Sequence, residues 1–169
     1  ETLAERIVEA ATNEDGRQVD LPLVEIPAQV RADALDDLGI AGLMAEGSSS
    51  FVGSSEARAE NVRVSARHLT HTLIPPGGSL AFNDALGPIS TDRDFVEGKI
   101  IRGDWIVSDL GGGACQASTT VFRAALFAGL DFEEWHPHSF RLAFYEADGS
   151  PPGLDAAIYQ PNNEGEWEL

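Results

Sequence analysis

The stretch that decides the fold is GGGACQASTT, residues 111–120. It places three consecutive glycines before Cys115, the single cysteine among 169 residues. Glycine adopts backbone conformations closed to other residues and lets a second segment approach the main chain closely. Apolar side chains then recur at spacings of three and four, which predicts a helix over about 115–128 that ends at Gly129. We therefore expect Cys115 near a helix N-terminus, where free N–H groups and the helix dipole stabilise a thiolate.

Two histidines follow this helix in the segment His136-Pro137-His138. Only about twenty residues separate Cys115 from His138, so the helix allows the next segment to fold back beside the cysteine loop. Either histidine would deprotonate Cys115 and then donate the proton to a leaving amine. The pattern predicts a cysteine–histidine pair for acyl transfer, with Cys115, His138 and His136 as the catalytic candidates.

Acyl transfer also needs groups that stabilise the oxyanion and orient the histidine. Main-chain N–H groups of the glycine–cysteine loop would stabilise the oxyanion, and a neighbouring serine or aspartate would orient the imidazole. These candidates are Gly112, Gly113, Gln116, Ser139 and Asp155.

A structural interpretation stands beside this one. A free cysteine is often a small buried hydrophobic residue, and glycine runs often form simple turns. The second histidine pair, His68 and His71, has no cysteine or carboxylate cluster at the spacing of a metal site, so we predict neither a metal nor a cofactor.

The composition limits the possible partners. Lys plus Arg is 11 and Asp plus Glu is 28, a formal net charge of −17. Such a surface repels phosphate backbones and anionic lipids, so we expect no nucleic-acid binding. No apolar run is long enough for a membrane span, so we expect no membrane contact by this fragment itself. The chain begins within a helical pattern, so we expect it to be a fragment that lacks its signal or anchor segment.

The patterns along the chain predict an α+β fold. Two main helices, over about 55–73 and 115–128, pack against a small, mainly antiparallel sheet. The predicted strands and extended segments lie at 79–83, 99–102, 105–107, 132–140, 142–145 and 155–159. A short helix is predicted over 1–12, an extended segment over 19–30 and a helical turn over 33–38. The Gly/Ser-rich run near residue 46 divides the chain into residues 1–45 and residues 46–169.

Four stretches closely resemble the VanW domain family. They are GGGACQASTTVFRAALFAGL (111–130), EEWHPHSFRLAFY (133–145), GLDAAIY (153–159) and RAENVRVSARHLTHTLIPPGGSLAFNDALGP (58–88). The resemblance covers roughly residues 46–160. Residues 1–45 resemble the C-terminal part of a peptidoglycan-binding-like region that often precedes VanW domains.

The resemblance implies an exported or cell-envelope protein that acts on peptidoglycan stem peptides. Some family members are L,D-transpeptidases that form 3–3 cross-links through a cysteine acyl-enzyme, which implies Cys115 as nucleophile and His138 as the family's histidine before serine. Two alternatives stay open: a cysteine peptidase or carboxypeptidase with water as acceptor, and a non-catalytic peptidoglycan-binding module.

Overall fold

A computed structural model describes residues 2–12, 18–21, 23, 36–102 and 105–160. The backbone contacts divide the chain into two compact units, residues 1–42 and 43–169. The first unit contains helix α1, Leu3–Thr12, and a 3-10 turn, Asp36–Leu38. Gly39 follows this turn with a φ of +67°. The helix and the turn agree with the sequence predictions, whereas most of the predicted extended segment at 19–30 lies outside the described residues.

The second unit contains the remaining regular elements. They are α2 (Glu56–Leu69), α3 (Phe82–Leu86), β1 (Glu97–Arg102), β2 (Trp105–Leu110) and α4 (Ala114–Phe127). The described residues thus form four α-helices and one two-stranded antiparallel sheet, which confirms the α+β prediction. None of the described helices is long and apolar enough to span a bilayer.

Helix α2 and the β-hairpin lead to the glycine–cysteine stretch from two directions. Ser55 begins α2 as its N-cap, since the serine hydroxyl accepts a hydrogen bond from the main-chain N–H of Arg58 at 3.3 Å. In the hairpin, Glu97 lies opposite Leu110 and Arg102 opposite Trp105. Strand β2 therefore ends beside the start of β1, and the chain enters α4 at that end of the hairpin.

The core lies where these elements meet. Val64 of α2, Leu86 of α3, Phe95 and Ala114 of α4 are each at most 2% exposed and pack as one cluster. Burial of such side chains is the main favourable term in folding. Because Ala114 belongs to this cluster, the core fixes the N-terminal end of α4 and with it the position of Cys115.

Two predicted strands form helical turns instead. Residues 79–83 were predicted to be extended, but Phe82 begins α3, because Phe82 and Leu86 lie four residues apart and both pack toward the core. Residues 142–145 form a 3-10 turn over Ala143–Glu146, which buries Tyr145. The predictions of strands at 79–83 and 142–145 are therefore wrong.

The predictions of strands within 132–140 and at 155–159 are also wrong, because neither segment pairs into a sheet. Residues 132–140 and 154–160 contain no described helix or strand. The N–H of Ala157 donates one hydrogen bond to the carbonyl of His136 at 2.8 Å, which links the two segments once. The segment 154–158 instead directs its main-chain groups toward side chains of α4, so it lacks the repeated pairing of a strand.

Candidate functional site

The glycines form a tight passage between β2 and α4. A Cβ on Gly112 would lie 2.5 Å from the carbonyl carbon of Gly98 and 2.7 Å from the main-chain nitrogen of Lys99, so only glycine fits there. Gly113, the N-cap of α4, has a φ of +122° and lies against the main chain of Arg58. The structure thus uses these glycines for close packing of the loop against β1 and α2.

Asn61 holds this loop in place from α2. Its fully buried amide donates hydrogen bonds to the carbonyls of Gly112 (3.0 Å) and Val96 (2.9 Å) and accepts one from the N–H of Val96 (2.9 Å). A buried side-chain amide that makes all these hydrogen bonds holds the main chain at Gly112 and at Val96 in fixed positions. Asn61 therefore sets the position of the glycine loop relative to β1.

Cys115 is the second residue of α4 and is half-buried. Its sulfur accepts a hydrogen bond from the main-chain N–H of Ile158 at 3.5 Å. Burial raises the pKa of the thiol, while the Ile158 N–H and the guanidinium of Arg58 lower it to a smaller extent. The net effect on the pKa is thus opposite to the one expected from the helix N-terminus, because loss of hydration outweighs the favourable main-chain contacts.

Three side chains of α4, spaced four residues apart, bind alternate residues of the extended segment 154–158. Side chains four apart lie on one face of a helix, and alternate residues of an extended chain present their main-chain groups in the same direction. We call this set of contacts the α4 ladder. Its pairs are Cys115 Sγ with Ile158 N–H at 3.5 Å, Thr119 Oγ1 with Ala156 N–H at 3.1 Å, and Arg123 Nε–H with the Leu154 carbonyl at 2.9 Å.

The α4 ladder brings Asp155 to His138. The Asp155 carboxylate oxygen Oδ2 lies 2.6 Å from His138 Nδ1 and accepts a second hydrogen bond from the His138 main-chain N–H at 3.0 Å. The side chains of His138 and Asp155 are only 8% and 16% exposed. A neutral imidazole that donates Nδ1–H to a carboxylate keeps the lone pair of Nε2 for accepting a proton. Because the carboxylate can only accept, Nδ1 carries a proton in this pair, and Nε2 is the ring nitrogen not bound to Asp155.

Tyr145 lies near both the thiol and the histidine. Its ring is 4% exposed, and its centroid lies 5.4 Å from that of the His138 ring. Burial, followed by the negative charge of a Cys115 thiolate, raises the pKa of the Tyr145 phenol to about 12. Asp155 also raises the pKa of Cys115, although less than burial does. Cys115, Tyr145, Asp155 and His138 therefore form one connected group.

Within the described residues, the sulfur of Cys115 has hydrogen bonds with Ile158 and none with His138. The structure thus joins the thiol to His138 through shared neighbours and not by a direct bond. Such hydrogen bonds are often long in free enzymes and shorten when substrate binds. The roles predicted for these two residues remain predictions.

Three of the other candidates have different surroundings. His136 is 59% exposed, and its Nε2 lies 2.7 Å from a carboxylate oxygen of Glu134. Ser139 is exposed. Gln116 is fully buried, and its side-chain amide donates to Ser49 Oγ at 2.8 Å and to the Ser50 carbonyl at 3.1 Å. The structure therefore brings His138 and Asp155, but not His136, to the group around Cys115.

Arg58 belongs to the site and was not among the candidates. Its Nη2 donates to Gln116 Oε1 at 2.5 Å, and its guanidinium carbon lies 4.6 Å from the centre of the Phe144 ring. It lowers the pKa of both Cys115 and Tyr145. One feature of the sequence indicates this role: Arg58 lies three residues before Asn61, one turn away on the same face of α2.

Arg123 holds the loop that carries Tyr145 and Asp155. Its side chain is 1% exposed and forms an ion pair with Asp148 at 2.9 Å. It also donates to three main-chain carbonyls, those of Ser48 (2.7 Å), Tyr145 (2.5 Å) and Leu154 (2.9 Å). One buried guanidinium thus fixes several loop segments around α4.

A cleft of about 290 Å³ lies beside His138 and Asp155. Its walls include His138, Tyr145 and Asp155 together with the ion-paired side chains of Arg141 and Glu146. The cleft provides space for a ligand that reaches His138.

Comparison with known proteins gives two matches. Residues 57–168 match the family described as VanW like protein. The uncharacterized protein YoaR of Bacillus subtilis (strain 168) is 28% identical over 108 residues, which are 64% of this chain and 34% of the relative. The chain therefore spans about a third of the length of that relative. No solved structure matches the chain.

Proposed function

This chain belongs to the VanW-like protein family, and from that premise we propose that it is a cell-wall L,D-transpeptidase with Cys115 as nucleophile. The observation that carries the proposal is the His138–Asp155 pair at 2.6 Å, which shares Tyr145 as a neighbour with the single cysteine. An oriented imidazole close to a thiol is the arrangement that cysteine acyl transfer needs.

The proposed reaction has two acyl-transfer steps. Cys115 Sγ attacks the carbonyl carbon of the peptide bond before the terminal D-Ala of a donor stem peptide, and its proton passes to His138 Nε2. The C–N bond then breaks, the amine of the leaving residue takes that proton, and a thioester remains on Cys115. An amine of a second stem peptide attacks the thioester, gives a proton to His138 and forms the 3–3 cross-link. The proton returns to the thiol.

The raised pKa of Cys115 affects the first step. The free protein holds a thiol, because burial disfavours the thiolate. In the proposed reaction, proton transfer to His138 therefore accompanies the attack on the carbonyl. Binding of substrate must bring sulfur and imidazole closer than they are in the free protein.

The proposed substrate sets the location and the partners. Stem peptides lie in the bacterial cell envelope, so the proposal places this domain outside the cytoplasm. The negative surface does not oppose this assignment, because the reacting part of the substrate is a peptide and not a phosphate polymer.

The test is incubation of the purified protein with disaccharide-tetrapeptides, with the products read by mass spectrometry. We expect cross-linked dimers from the wild type and none from Cys115→Ser. His138→Gln should lower the initial rate at least about 100-fold, as loss of a general base does. His136→Gln is the matched control and should keep the wild-type rate, because His136 lies at the surface beside Glu134. Undiminished dimer formation by Cys115→Ser would end the proposal.

The same experiment separates the two alternatives. A peptidase or carboxypeptidase with these residues would give shortened monomers and no dimers. A non-catalytic wall-binding module is favoured by one observation, that the sulfur already has a structural partner in Ile158 within the α4 ladder. It predicts equal retention of the wild type and Cys115→Ala on peptidoglycan sacculi, with neither dimers nor a covalent adduct.

A further inference from the structure

We propose that Arg58 binds the free α-carboxylate of the donor peptide's terminal residue and thereby restricts Cys115 to the last peptide bond of that donor. This inference rests on the function proposed above and adds a basis for donor selection. It assigns to Arg58 a binding role that is separate from its packing against Gln116.

The position of Arg58 is the first support. Its side chain extends from the first turn of α2, and Nη2 donates to Gln116 Oε1 at 2.5 Å, one residue after the nucleophile. The ring of Phe144 lies 4.6 Å from the guanidinium carbon, so the planar group is held by a cation–π contact as well. Arg58 is half-buried and therefore remains open on one side.

The free charge of Arg58 is the second support. Four other arginines of the described residues each form an ion pair with a carboxylate: Arg63, Arg67, Arg123 and Arg141. No carboxylate of the described residues lies within ion-pair distance of Arg58, although acidic residues outnumber basic ones by 28 to 11 in the sequence. A guanidinium has five N–H donors, and the bonds to Gln116 and to the Tyr145 phenol take two of them. Arg58 thus has both charge and donors for an added anion.

The chemistry of the donor supplies a matching group. In the last peptide bond of a chain, the α-carboxylate lies only two bonds beyond the scissile nitrogen. A cation beside the nucleophile is therefore within reach of that carboxylate, and a guanidinium binds a carboxylate through two parallel hydrogen bonds. An internal peptide bond lacks this charge. The protein has a net charge of −17, which repels an anionic ligand, and a local cation offsets this repulsion at one place on the surface.

The first experiment uses two alkylating reagents and does not require transpeptidase activity. Iodoacetate carries a carboxylate and iodoacetamide is its neutral counterpart, and Cys115 is the only thiol in the chain. At one fixed pH, the ratio of the two alkylation rates is independent of the thiolate fraction. We expect the rate with iodoacetate, divided by the rate with iodoacetamide, to be about tenfold lower in Arg58→Gln than in the wild type. Such a change corresponds to the loss of one charged hydrogen bond.

Arg63→Gln is the matched control, since Arg63 lies on α2 but is 59% exposed and paired with Glu60. It should keep the wild-type ratio, and Arg58→Lys should keep part of the preference. An unchanged ratio in Arg58→Gln, or an equal fall in Arg63→Gln, would overturn the inference.

If Arg58→Gln does not fold, the wild-type protein provides the test through protection of its thiol. N-acetyl-D-alanine should slow the alkylation of Cys115 by iodoacetamide, and N-acetyl-D-alanine amide should not. Equal effects of the two compounds would reject the inference.

The second experiment connects Arg58 to the donor. Wild-type protein should use a tetrapeptide donor at least about tenfold better than the same donor with a C-terminal carboxamide, by kcat/KM, and Arg58→Gln should lose this preference. Equal use of both donors by the wild type would refute the inference while the transpeptidase assignment stands. Absence of any product, with the alkylation ratios as expected, would refute the transpeptidase assignment while the carboxylate site stands.

Discussion

Asp155 binds His138 twice, through the ring nitrogen Nδ1 and through the main-chain N–H. The two bonds fix both the tautomer and the position of the imidazole. Because Asp155 lies in the segment held by the α4 ladder, the orientation of His138 depends on side chains of the helix that carries the nucleophile. The residues of the site are therefore positioned by one another.

Asp155→Asn should lower kcat by roughly 10²- to 10⁴-fold, because an amide in this place favours the other imidazole tautomer. The measurement is the initial rate of dimer formation together with its pH profile. Asp131→Asn, an exposed aspartate, is the control and should leave the rate unchanged. A wild-type rate in folded Asp155→Asn would show that His138 does not depend on this carboxylate.

The sequence indicated Cys115, His138 and Asp155 as candidates, but it indicated His136 and Ser139 beside them, and only the structure separates the two sets. Their catalytic roles remain predictions. The sequence was not sufficient to find Arg58 and Tyr145. Arginine on a helix is usually a surface residue and a single tyrosine is usually a packing residue. Only the three-dimensional contacts show that both lie beside the thiol.

At the scale of the elements, the approach of two backbones at Gly98 and Gly112 determines where α4 begins. A side chain on either glycine meets main-chain atoms, which have little freedom to move. The glycine run in the sequence allowed two interpretations, a turn or an oxyanion site. The structure shows the packing requirement, and the oxyanion role stays a prediction.

Gly112→Ala should prevent normal folding or lower the free energy of unfolding by more than about 3 kcal/mol, a size reached when overpacking is severe. Urea denaturation followed by circular dichroism measures this. Gly129→Ala is the control: its φ is +70° but a Cβ there meets nothing within 4 Å. We expect Gly129→Ala to lower the free energy of unfolding by only about 1 kcal/mol. Equal stabilities of the two variants would contradict the proposed close packing.

Helices α1, α2 and α4 and the β-hairpin were predictable because each repeats a regular apolar pattern or ends at glycine, although α2 ends at Leu69 and not at residue 73 as predicted. The segments at 79–83 and 142–145 were not, because each is short enough for tertiary contacts to decide its conformation. Leu86 and Tyr145 are buried in the helical turns that these segments form. Burial thus outweighed the local preference for an extended chain.

At the scale of the whole molecule, the site contains two acidic groups whose pKa values are raised by burial, the Cys115 thiol and the Tyr145 phenol. For each, the folded state binds the proton more tightly than the unfolded state does. The stabilisation is complete below the ordinary pKa values of 9.0 and 10.0 and is lost as the pH rises through the folded values. The domain should therefore unfold more readily in alkali.

Tyr145→Phe should reduce this alkaline loss of stability. Each pKa unit corresponds to about 1.4 kcal/mol, so the rise of the Tyr145 pKa from 10.0 to about 12 predicts a loss of roughly 2–3 kcal/mol in the wild type by that pH. The measurement is the melting temperature between neutral pH and strong alkali. Tyr159→Phe, with a side chain 57% exposed, is the control for loss of a phenol. Identical profiles for the wild type and Tyr145→Phe would contradict the prediction.

The α4 ladder pairs two repeats whose lengths differ. Four residues of α-helix advance about 6.0 Å along the axis, whereas two residues of an extended chain advance about 6.6 to 6.8 Å. The helix and the segment 154–158 therefore lose register by roughly 0.6 to 0.8 Å at each successive pair, and such a ladder is short by geometry. Cys115 is its last member, and the large sulfur atom still reaches Ile158 at 3.5 Å. Of the three contacts, the one made by the nucleophile is the longest, at 3.5 Å compared with 3.1 and 2.9 Å.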